Sequence, residues 1–269
     1  MGKYPTENIG DLRRLAARIR LNALQMVAIQ GFGYLGQALS AGDIYAALFG
    51  SGALRPRHDR FIVSPGHYIV VLYAVAAELG LIDPAELSSY GLDGALLEAI
   101  STERTPFVDL SCGSLGQGLS GAIGFALASR FARDDRRVFA FLSDGEMEEG
   151  QVWEAAMFAA HHKLSNLVAV IDVNNSQVDG TVTSVTTIEP IAAKWQAFGW
   201  RTEEVDGHDV GAVLRALKTR QADKPLVVIA HTDILGRLKS FPPTVDGHFI
   251  KLDASLQEVV IRELENFDA

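Results

Sequence analysis

Cysteine is nearly absent from this chain of 269 residues, in which Cys112 is the one example. A lone cysteine excludes an internal disulfide framework and a multi-cysteine metal site, and it is compatible with a reducing compartment. Long hydrophobic runs are also missing, since no stretch approaches the roughly 18 apolar residues that a membrane span needs. Residues 1–10 lack a cationic segment followed by an apolar run. We therefore expect a cytoplasmic protein without a membrane partner and with Cys112 in its core.

Positive charge is in short supply, with 24 lysines and arginines against 33 aspartates and glutamates. The net charge of −9 repels phosphate at long range, which argues against a nucleic-acid partner. Any phosphate that the protein binds must therefore be bound by local groups. Hydrophobic residues make up 48% of the chain, which is enough to bury the core of a large α/β domain.

Apolar runs and helical periodicities alternate along the chain. Compact apolar runs are typical of buried strands, and apolar residues three or four positions apart are typical of helices. The strands are predicted at 60–64, 138–142, 167–172, 201–205 and 226–230, and helices at 68–79, 119–131, 152–161, 191–198 and 210–219. This alternation predicts an α/β fold, with a parallel sheet and helices on both faces.

The terminal regions predict one helix each. A long amphipathic helix is predicted at 8–30, before the glycine-rich turn at 31–36. Residues 235–253 include two prolines and few periodic apolar residues, so we expect a long loop that borders a site. A final helix is predicted at 256–267. Because no composition shift marks a linker, we interpret residues 1–269 as a single domain.

Polar residues follow two of the predicted strands directly. Asp144 and Gly145 come after one strand, and Asn174 comes after the next, 30 residues further on (174 − 144). One helix and one strand fit into that spacing, so a crossover can bring these side chains together at the carboxyl edge of the sheet, where α/β proteins bind ligands. Either cluster alone would be an ordinary turn. Together they predict a site for Mg²⁺ and a diphosphate, because carboxylate and amide oxygens suit that metal.

The pair Ser143-Asp144-Gly145 and Asn174-Asn175 resembles the signature of thiamine diphosphate enzymes, in which Gly-Asp-Gly is followed further along by Asn-Asn. The resemblance covers nearly the whole chain and is closest to the N-terminal, thiamine diphosphate-binding subunit of split transketolases. The stretches that carry it are 112–120, 148–155, 166–180, 194–200 and 205–209. It implies a pyrophosphate-domain fold over 1–269 and the transfer of a two-carbon glycolaldehyde unit from a ketose to an aldose.

The resemblance also implies a ligand set for the cofactor and its metal. Asp144, Asn174 and the backbone carbonyl of Ser176 would ligate Mg²⁺, or Ca²⁺ or Mn²⁺ in its place, and Gly145 would contact the diphosphate. The further residues that would lie along thiamine diphosphate are His67, Gly113, Leu115 and Glu149.

Three residues would take part in catalysis by the same resemblance. His67 would face the diphosphate and the substrate, and His248 would correspond to a histidine that moves protons near the reacting carbon. Glu149 would lie at a subunit interface, as would Glu154, near the glutamate that activates the cofactor. That glutamate would come from a second polypeptide, so we expect inactivity of this chain alone and an α₂β₂ heterotetramer with a C-terminal transketolase subunit.

The residues expected to face the sugar depart from the family pattern. Tyr34 stands where a substrate-facing histidine is expected, and Ser101 stands where the family has the histidine of a Gly-His-Pro. Pro65 also replaces a frequent lysine. A phenol and a serine differ from imidazole in size and in proton transfer, so we expect a non-standard sugar or sugar-phosphate substrate.

Other readings of the same residues stay open at this point. Gly116-Gln117-Gly118-Leu119-Ser120-Gly121 satisfies the G-x-G-x-x-G of dinucleotide-binding proteins, with Asp144 following by 23 residues (144 − 121). An NAD-dependent dehydrogenase is therefore one alternative. A decarboxylating E1 α-type subunit, which shares the metal signature, is another. A non-catalytic member of the family is a third, suggested by Tyr34 and Ser101.

Overall fold

The centre of the structure is a five-stranded parallel sheet, in which the strands lie side by side in the order Arg60–Val63, Val138–Ser143, Leu167–Val173, Leu226–His231 and Arg201–Asp206. The structure is a computed structural model, and it describes residues 4–105, 108–220 and 222–266. The strands of this sheet are β2 (Arg60–Val63), β3 (Val138–Ser143), β4 (Leu167–Val173), β5 (Arg201–Asp206) and β6 (Leu226–His231). Each begins at the predicted residue and ends within one residue of the predicted end.

Helices cover both faces of the sheet, as the sequence predicted. Their bounds are α1 (Ile9–Gln30), α2 (Leu35–Tyr45), α3 (Ile69–Glu78), α4 (Gly118–Ala132), α5 (Gly150–His161), α6 (Val182–Val185), α7 (Ile191–Ala197), α8 (Val210–Lys218) and α9 (Ala254–Asn266). Side chains alternate along β3, so that Phe139 and Phe141 enter one core while Ala140 and Leu142 enter the other. The first core contains residues of α1, α2, α3 and α8, and the second contains residues of α4, α5 and α7 and the buried Cys112.

Local signals explain where the first helix begins and ends. The side chain of Asn8 accepts a hydrogen bond from the backbone of Asp11, which satisfies a free N–H of the first turn. At the other end, Gly31 has a φ of 72°, a left-handed conformation that glycine adopts without a steric cost. Helix α1 therefore covers the predicted 8–30 almost completely. Helix α9 was predicted at 256–267, and Phe267 lies outside the described residues.

Helix α2, which continues into a π-helical turn at Ala46–Gly50, was not predicted. All of its residues are buried, so the sequence has no polar face to alternate with an apolar one. The prediction of a loop over the whole of 235–253 was partly wrong. Ile250–Lys251 forms the short strand β7, which pairs with β1 (Phe32–Gly33). Such a pairing joins segments that are distant in sequence, and local patterns do not reveal it.

Within residues 4–105, 108–220 and 222–266, no helix is both long and apolar enough to cross a membrane.

Candidate functional site

The polar residues at the ends of β3 and β4 come together in space. The two strands are paired in parallel with Ser143 opposite Asp172, and the backbone N–H of Asp144 donates to the carbonyl of Asp172 at 3.1 Å. The Asp144 carboxylate in turn accepts from the backbone N–H of Asn175 at 2.5 Å. The strand pairing therefore brings Asp144 beside the turn that begins at Asn174.

The Asp144 carboxylate lies in surroundings that suit a cation. Its side chain is 1% exposed, and its hydrogen-bond donors are the backbone N–H groups of Gly145 and Asn175. Burial, and then the nearby carboxylate of Asp172, raise the pKa of Asp144 to about 7. A divalent cation would offset both effects, so the donor set fits the magnesium site that the sequence predicts.

Asn174 is oriented by a buried carboxylate that the sequence analysis did not single out. Its side-chain N–H groups donate to Asp172 at 2.9 Å and to the hydroxyl of Tyr68 at 2.8 Å. Asp172 is fully buried and also accepts from Ser40 at 2.6 Å and from Thr232 at 2.5 Å. Burial raises the pKa of Asp172, and these donors oppose that rise. The signal in the sequence was an acid within an otherwise apolar strand.

The turn after β4 also brings the backbone of Asn175 and Ser176 close to Asp144 and Asn174. Asn175 adopts a left-handed φ of 57°, and the backbone N–H of Ser176 donates to the side-chain oxygen of Asn174 at 3.0 Å. Among the residues that the structure describes, no cluster of three or more His, Cys, Asp or Glu side chains could hold a metal alone. One carboxylate, one amide and one carbonyl would thus require phosphate oxygens to complete an octahedron.

These strand ends open onto a cavity of about 320 Å³. Small-molecule sites are commonly concave and of this size or larger. Gly113 has no atom within 4 Å of the place where a Cβ would lie, so its surface faces open space. The residues that line the cavity are Tyr34, His67, Tyr68, Ile100, Gly113, Leu115, Ser143, Gly145, Ser176, Gln177, Val178 and His248. Most of the residues proposed from the sequence therefore share one cavity.

Three rings lie together in this cavity although they belong to distant segments. The centroid of the Tyr34 ring is 5.0 Å from that of His67 and 6.0 Å from that of His248, and the two imidazoles are 5.4 Å apart. Burial, and then His248, lower the pKa of His67 to about 3, and burial lowers that of His248. Both histidines are therefore neutral at physiological pH.

Gln37 determines which tautomer His248 adopts. Its side-chain nitrogen lies 3.2 Å from the backbone carbonyl of His248 and 3.4 Å from ring atom Nδ1. A carbonyl can only accept, so the atom of Gln37 that faces it must be the amide nitrogen. The second N–H of that amide then donates to Nδ1, which accepts through its lone pair. His248 therefore carries its proton on Nε2, an inference that sequence patterns did not offer.

Glu146 is a second buried acid that the sequence analysis did not single out. It is fully buried, and its Oε1 accepts from the hydroxyl of Ser64 and from the backbone N–H of Gly116 at 2.6 Å. Its Oε2 has no hydrogen-bond partner. Burial raises the pKa of Glu146 to about 7. This carboxyl connects the loop before α4 to the segment that follows Asp144.

Several positions singled out from the sequence do not line the cavity, namely Ser101, Asp144, Glu149, Glu154 and Asn174. Glu149 is exposed at the N-terminus of α5, and the ideal Cβ position at Gly116 is 2.8 Å from its Cβ. Glu154 is exposed on the same helix. Ser101 is buried behind Ile100, with an Oγ that has no hydrogen-bond partner. The structure brings Tyr34 into the cavity but keeps Ser101 outside its lining.

The dinucleotide alternative is contradicted by the fold. A dinucleotide-binding G-x-G-x-x-G follows a strand directly. Here Gly116 is preceded by irregular backbone, and the strand before it in sequence, β2, ends at Val63. The NAD-dependent dehydrogenase reading is therefore wrong.

Comparison with known proteins agrees with this geometry. Residues 12–263 match the family model described as the thiamine diphosphate binding domain of transketolase. The chain belongs to the transketolase family. This match favours transketolase over the E1 α-type alternative, and it identifies the chain as carrying a thiamine diphosphate-binding domain.

Similar proteins fall into two length classes. A transketolase family protein of Sinorhizobium fredii is 36% identical, over 95% of both chains. The 6-deoxy-6-sulfo-D-fructose transketolase subunit of a Clostridium strain is 34% identical, over 95% of this chain and 96% of that protein. Mouse transketolase is 34% identical, but the match covers 97% of this chain and 43% of that protein.

A solved transketolase structure also matches this chain over part of its own length. The transketolase of Campylobacter jejuni superposes with a TM-score of 0.84 and 26% identity, over 97% of this chain and 43% of that one. The fold therefore corresponds to less than half of a full-length transketolase.

Proposed function

We propose that this protein holds the diphosphate and the metal of thiamine diphosphate in a ketol transferase, which moves a two-carbon unit from a ketose to an aldose. The observation that carries the proposal is the meeting of Asp144 with the Asn174 turn beside a cavity that also contains His67 and His248. The proposal treats residues 1–269 as one diphosphate-binding domain.

Asp144, Asn174 and the carbonyl of Ser176 are the proposed ligands of Mg²⁺. The raised pKa of the buried Asp144 supports this role, since a bound cation would stabilise its ionised form. Gly145 and Gly113 would let the backbone approach the cofactor, because neither has a side chain that would enter the cavity. Leu115 would contribute an apolar surface.

Thiamine diphosphate, when bound, supplies a carbon nucleophile that accepts the two-carbon unit. The chain's own contribution would be to orient substrate and to provide hydrogen bonds. His248 and the neutral His67 beside it are suited to orient a substrate oxygen, with the backbone of Ser176 as a further hydrogen-bond partner of the His248 ring. Tyr34 adds a phenol to the same group of rings.

A second chain is part of the proposal. Glu149 and Glu154 are exposed on the segment that begins α5, and Glu149 contacts the loop at Gly116, which suits an interface with a chain that supplies the activating glutamate and the aminopyrimidine pocket. A similar protein of nearly the same length is named as a subunit. We expect an α₂β₂ heterotetramer.

The substrate is proposed to differ from the usual pentose phosphates. Tyr34 lines the cavity at a position where the resemblance implies an imidazole, and Ser101 stands where the resemblance implies another. The relative named for 6-deoxy-6-sulfo-D-fructose suggests one sugar to test. Normal turnover of xylulose 5-phosphate and ribose 5-phosphate by the reconstituted complex would contradict this part of the proposal.

Asp144→Ala tests the metal and cofactor assignment. Loss of a metal ligand should weaken binding of thiamine diphosphate in the presence of Mg²⁺ by about 100-fold or more, and turnover by the reconstituted complex should fall to the same degree. Calorimetric titration measures the affinity. Asp93→Ala, which removes an exposed carboxylate that does not line the cavity, is the matched control. Unchanged turnover of Asp144→Ala would remove the metal role and would favour a non-catalytic family member.

A further inference from the structure

A second, positively charged cleft lies at the opposite edge of the sheet from the cofactor cavity. It has a volume of about 540 Å³ and includes Arg55, Arg137, Lys218 and Arg220 in its lining. Arg137 directly precedes β3, and the other end of that strand leads to Asp144. The two sites are therefore separated by the length of a strand.

Some of the cations that line this cleft form ion pairs with acids, and others do not. Lys218 forms an ion pair with Glu7 at 2.5 Å, and Arg55 forms ion pairs with Asp59 and Asp135, each at 2.8 Å. Arg137 and Arg220 form no ion pair within the described part of the chain.

Backbone carbonyls occupy part of these two guanidinium groups instead. Both donate to the carbonyl of Leu217, Arg137 at 3.3 Å and Arg220 at 3.1 Å, and Arg137 also donates to Ala53 at 3.2 Å. A guanidinium has five N–H donors, so each retains donors for a ligand. Sharing one carbonyl places the two groups side by side.

The charges around the cleft repel one another. Burial, and then Arg220 and Arg55, lower the pKa of Arg137, to about 9, while Asp59 opposes the shift. Burial also lowers the pKa of Arg220, with Asp59 opposing the shift and Arg55 adding to it. In a chain with a net charge of −9, the four cations that line this cleft outnumber Glu7 and Asp135, the acids that line it. An anion between the guanidinium groups would remove the repulsion and use their free donors.

We infer that this cleft is a binding site for a small phosphate anion, either inorganic phosphate or the phosphate group of an ester, held between Arg137 and Arg220 with Lys218 at its side. The planar donor forks of two arginines match the oxygens of a tetrahedral dianion. A ligand there would connect the start of β3 to the end of α8 and would stabilise the fold by linkage.

The test uses the chain itself and inorganic phosphate, without Mg²⁺ and with a chelator present. Calorimetry should give saturable binding, and the melting temperature should rise with phosphate concentration. Arg220→Gln should weaken binding at least tenfold and abolish the thermal shift. Arg220 is exposed and bonds only to carbonyls, so this variant is expected to fold. Arg137→Gln should act in the same direction.

Two controls separate this site from others. Arg215→Gln removes an equal charge from α8 outside the cleft and should bind phosphate as the wild type does. Asp144→Ala alters the proposed cofactor site and should also leave phosphate binding unchanged. Glycerol 3-phosphate replaces phosphate in a parallel titration, and tighter binding of the ester would identify organic phosphates as the preferred ligands. Absence of saturable binding, or binding that Asp144→Ala abolishes and Arg220→Gln does not, would overturn the inference.

Discussion

The two ends of the cofactor cavity are constructed differently. At the metal end, Asp144 and Asn174 follow paired strands directly and belong to a network of hydrogen bonds centred on the buried Asp172. At the substrate end, His248 meets Tyr34 through ring contacts between segments that are far apart in sequence. Tyr34, which departs from the family pattern, belongs to this second group. Cofactor binding and sugar selection should therefore respond to different substitutions.

The largest effect is expected at the metal end, from Asp172→Ala. The variant leaves the donors of Ser40, Tyr68, Thr232 and Asn174 without their acceptor, and the free energy of unfolding should fall by about 3–5 kcal/mol. Urea denaturation measures the loss. Ser101→Ala, behind the substrate end, removes a buried hydroxyl that has no partner and should cost far less. Similar losses in both variants would contradict the contrast between the two ends.

Glu146→Gln tests the electrostatics beside the metal end. The folded protein raises the pKa of this carboxyl from 4.5 to about 7, so the folded state binds the proton more tightly than the unfolded state within that range. Wild-type stability should therefore contain a contribution that is lost as the pH rises from about 4.5 to about 7, by up to roughly 3 kcal/mol. Glutamine cannot ionise, so the advantage of the variant should grow between pH 5 and pH 8. Urea denaturation at both values measures it, and a constant difference would refute the assignment.

Tyr34→His addresses the substrate end. Restoring an imidazole beside His67 should shift preference toward xylulose 5-phosphate by about tenfold, which is less than the roughly 100-fold or more that a fully positioned acid–base group contributes. Affinity for thiamine diphosphate should stay within a few-fold of wild type. Relative kcat/KM values of the reconstituted complex for xylulose 5-phosphate and 6-deoxy-6-sulfo-D-fructose provide the measurement. Loss of cofactor affinity without a change in preference would show that the two ends are not separable.

The smallest effect is expected from Gln37→Met, which keeps the length of the side chain and removes its donors. His248 then loses the contact that assigns its proton to Nε2, a hydrogen bond worth about 1 kcal/mol. Nitrogen-15 NMR of labelled histidine should show a single tautomer of His248 in the wild type and a mixture in the variant. Gln37→Asn is the companion variant with a shorter amide. An unchanged nitrogen spectrum in Gln37→Met would exclude this role for Gln37.

Much of the fold and the metal end followed from local patterns. The alternation of apolar runs predicted the strands, and the polar residues after two of them predicted that Asp144 and Asn174 meet at one edge of the sheet. Helix α2 was missed because burial on every side removes the periodicity that identifies a helix. Asp172 was missed because an acid in an apolar run does not indicate which donors will surround it. Glu146 was missed because the sequence does not show which of the neighbouring acids Glu146, Glu148 and Glu149 is buried.

The sequence alone was sufficient for the alternation of strands and helices, and for the polar residues at the strand ends, since both depend on spacing along the chain. The resemblance to transketolases also rested on short motifs and on their spacing along the chain. The ring cluster, the tautomer of His248 and the side-by-side guanidinium groups of Arg137 and Arg220 required the folded structure. Each depends on contacts between distant segments and on burial. Burial shifts the pKa of a titratable side chain and can leave a hydrogen-bond donor without an acceptor.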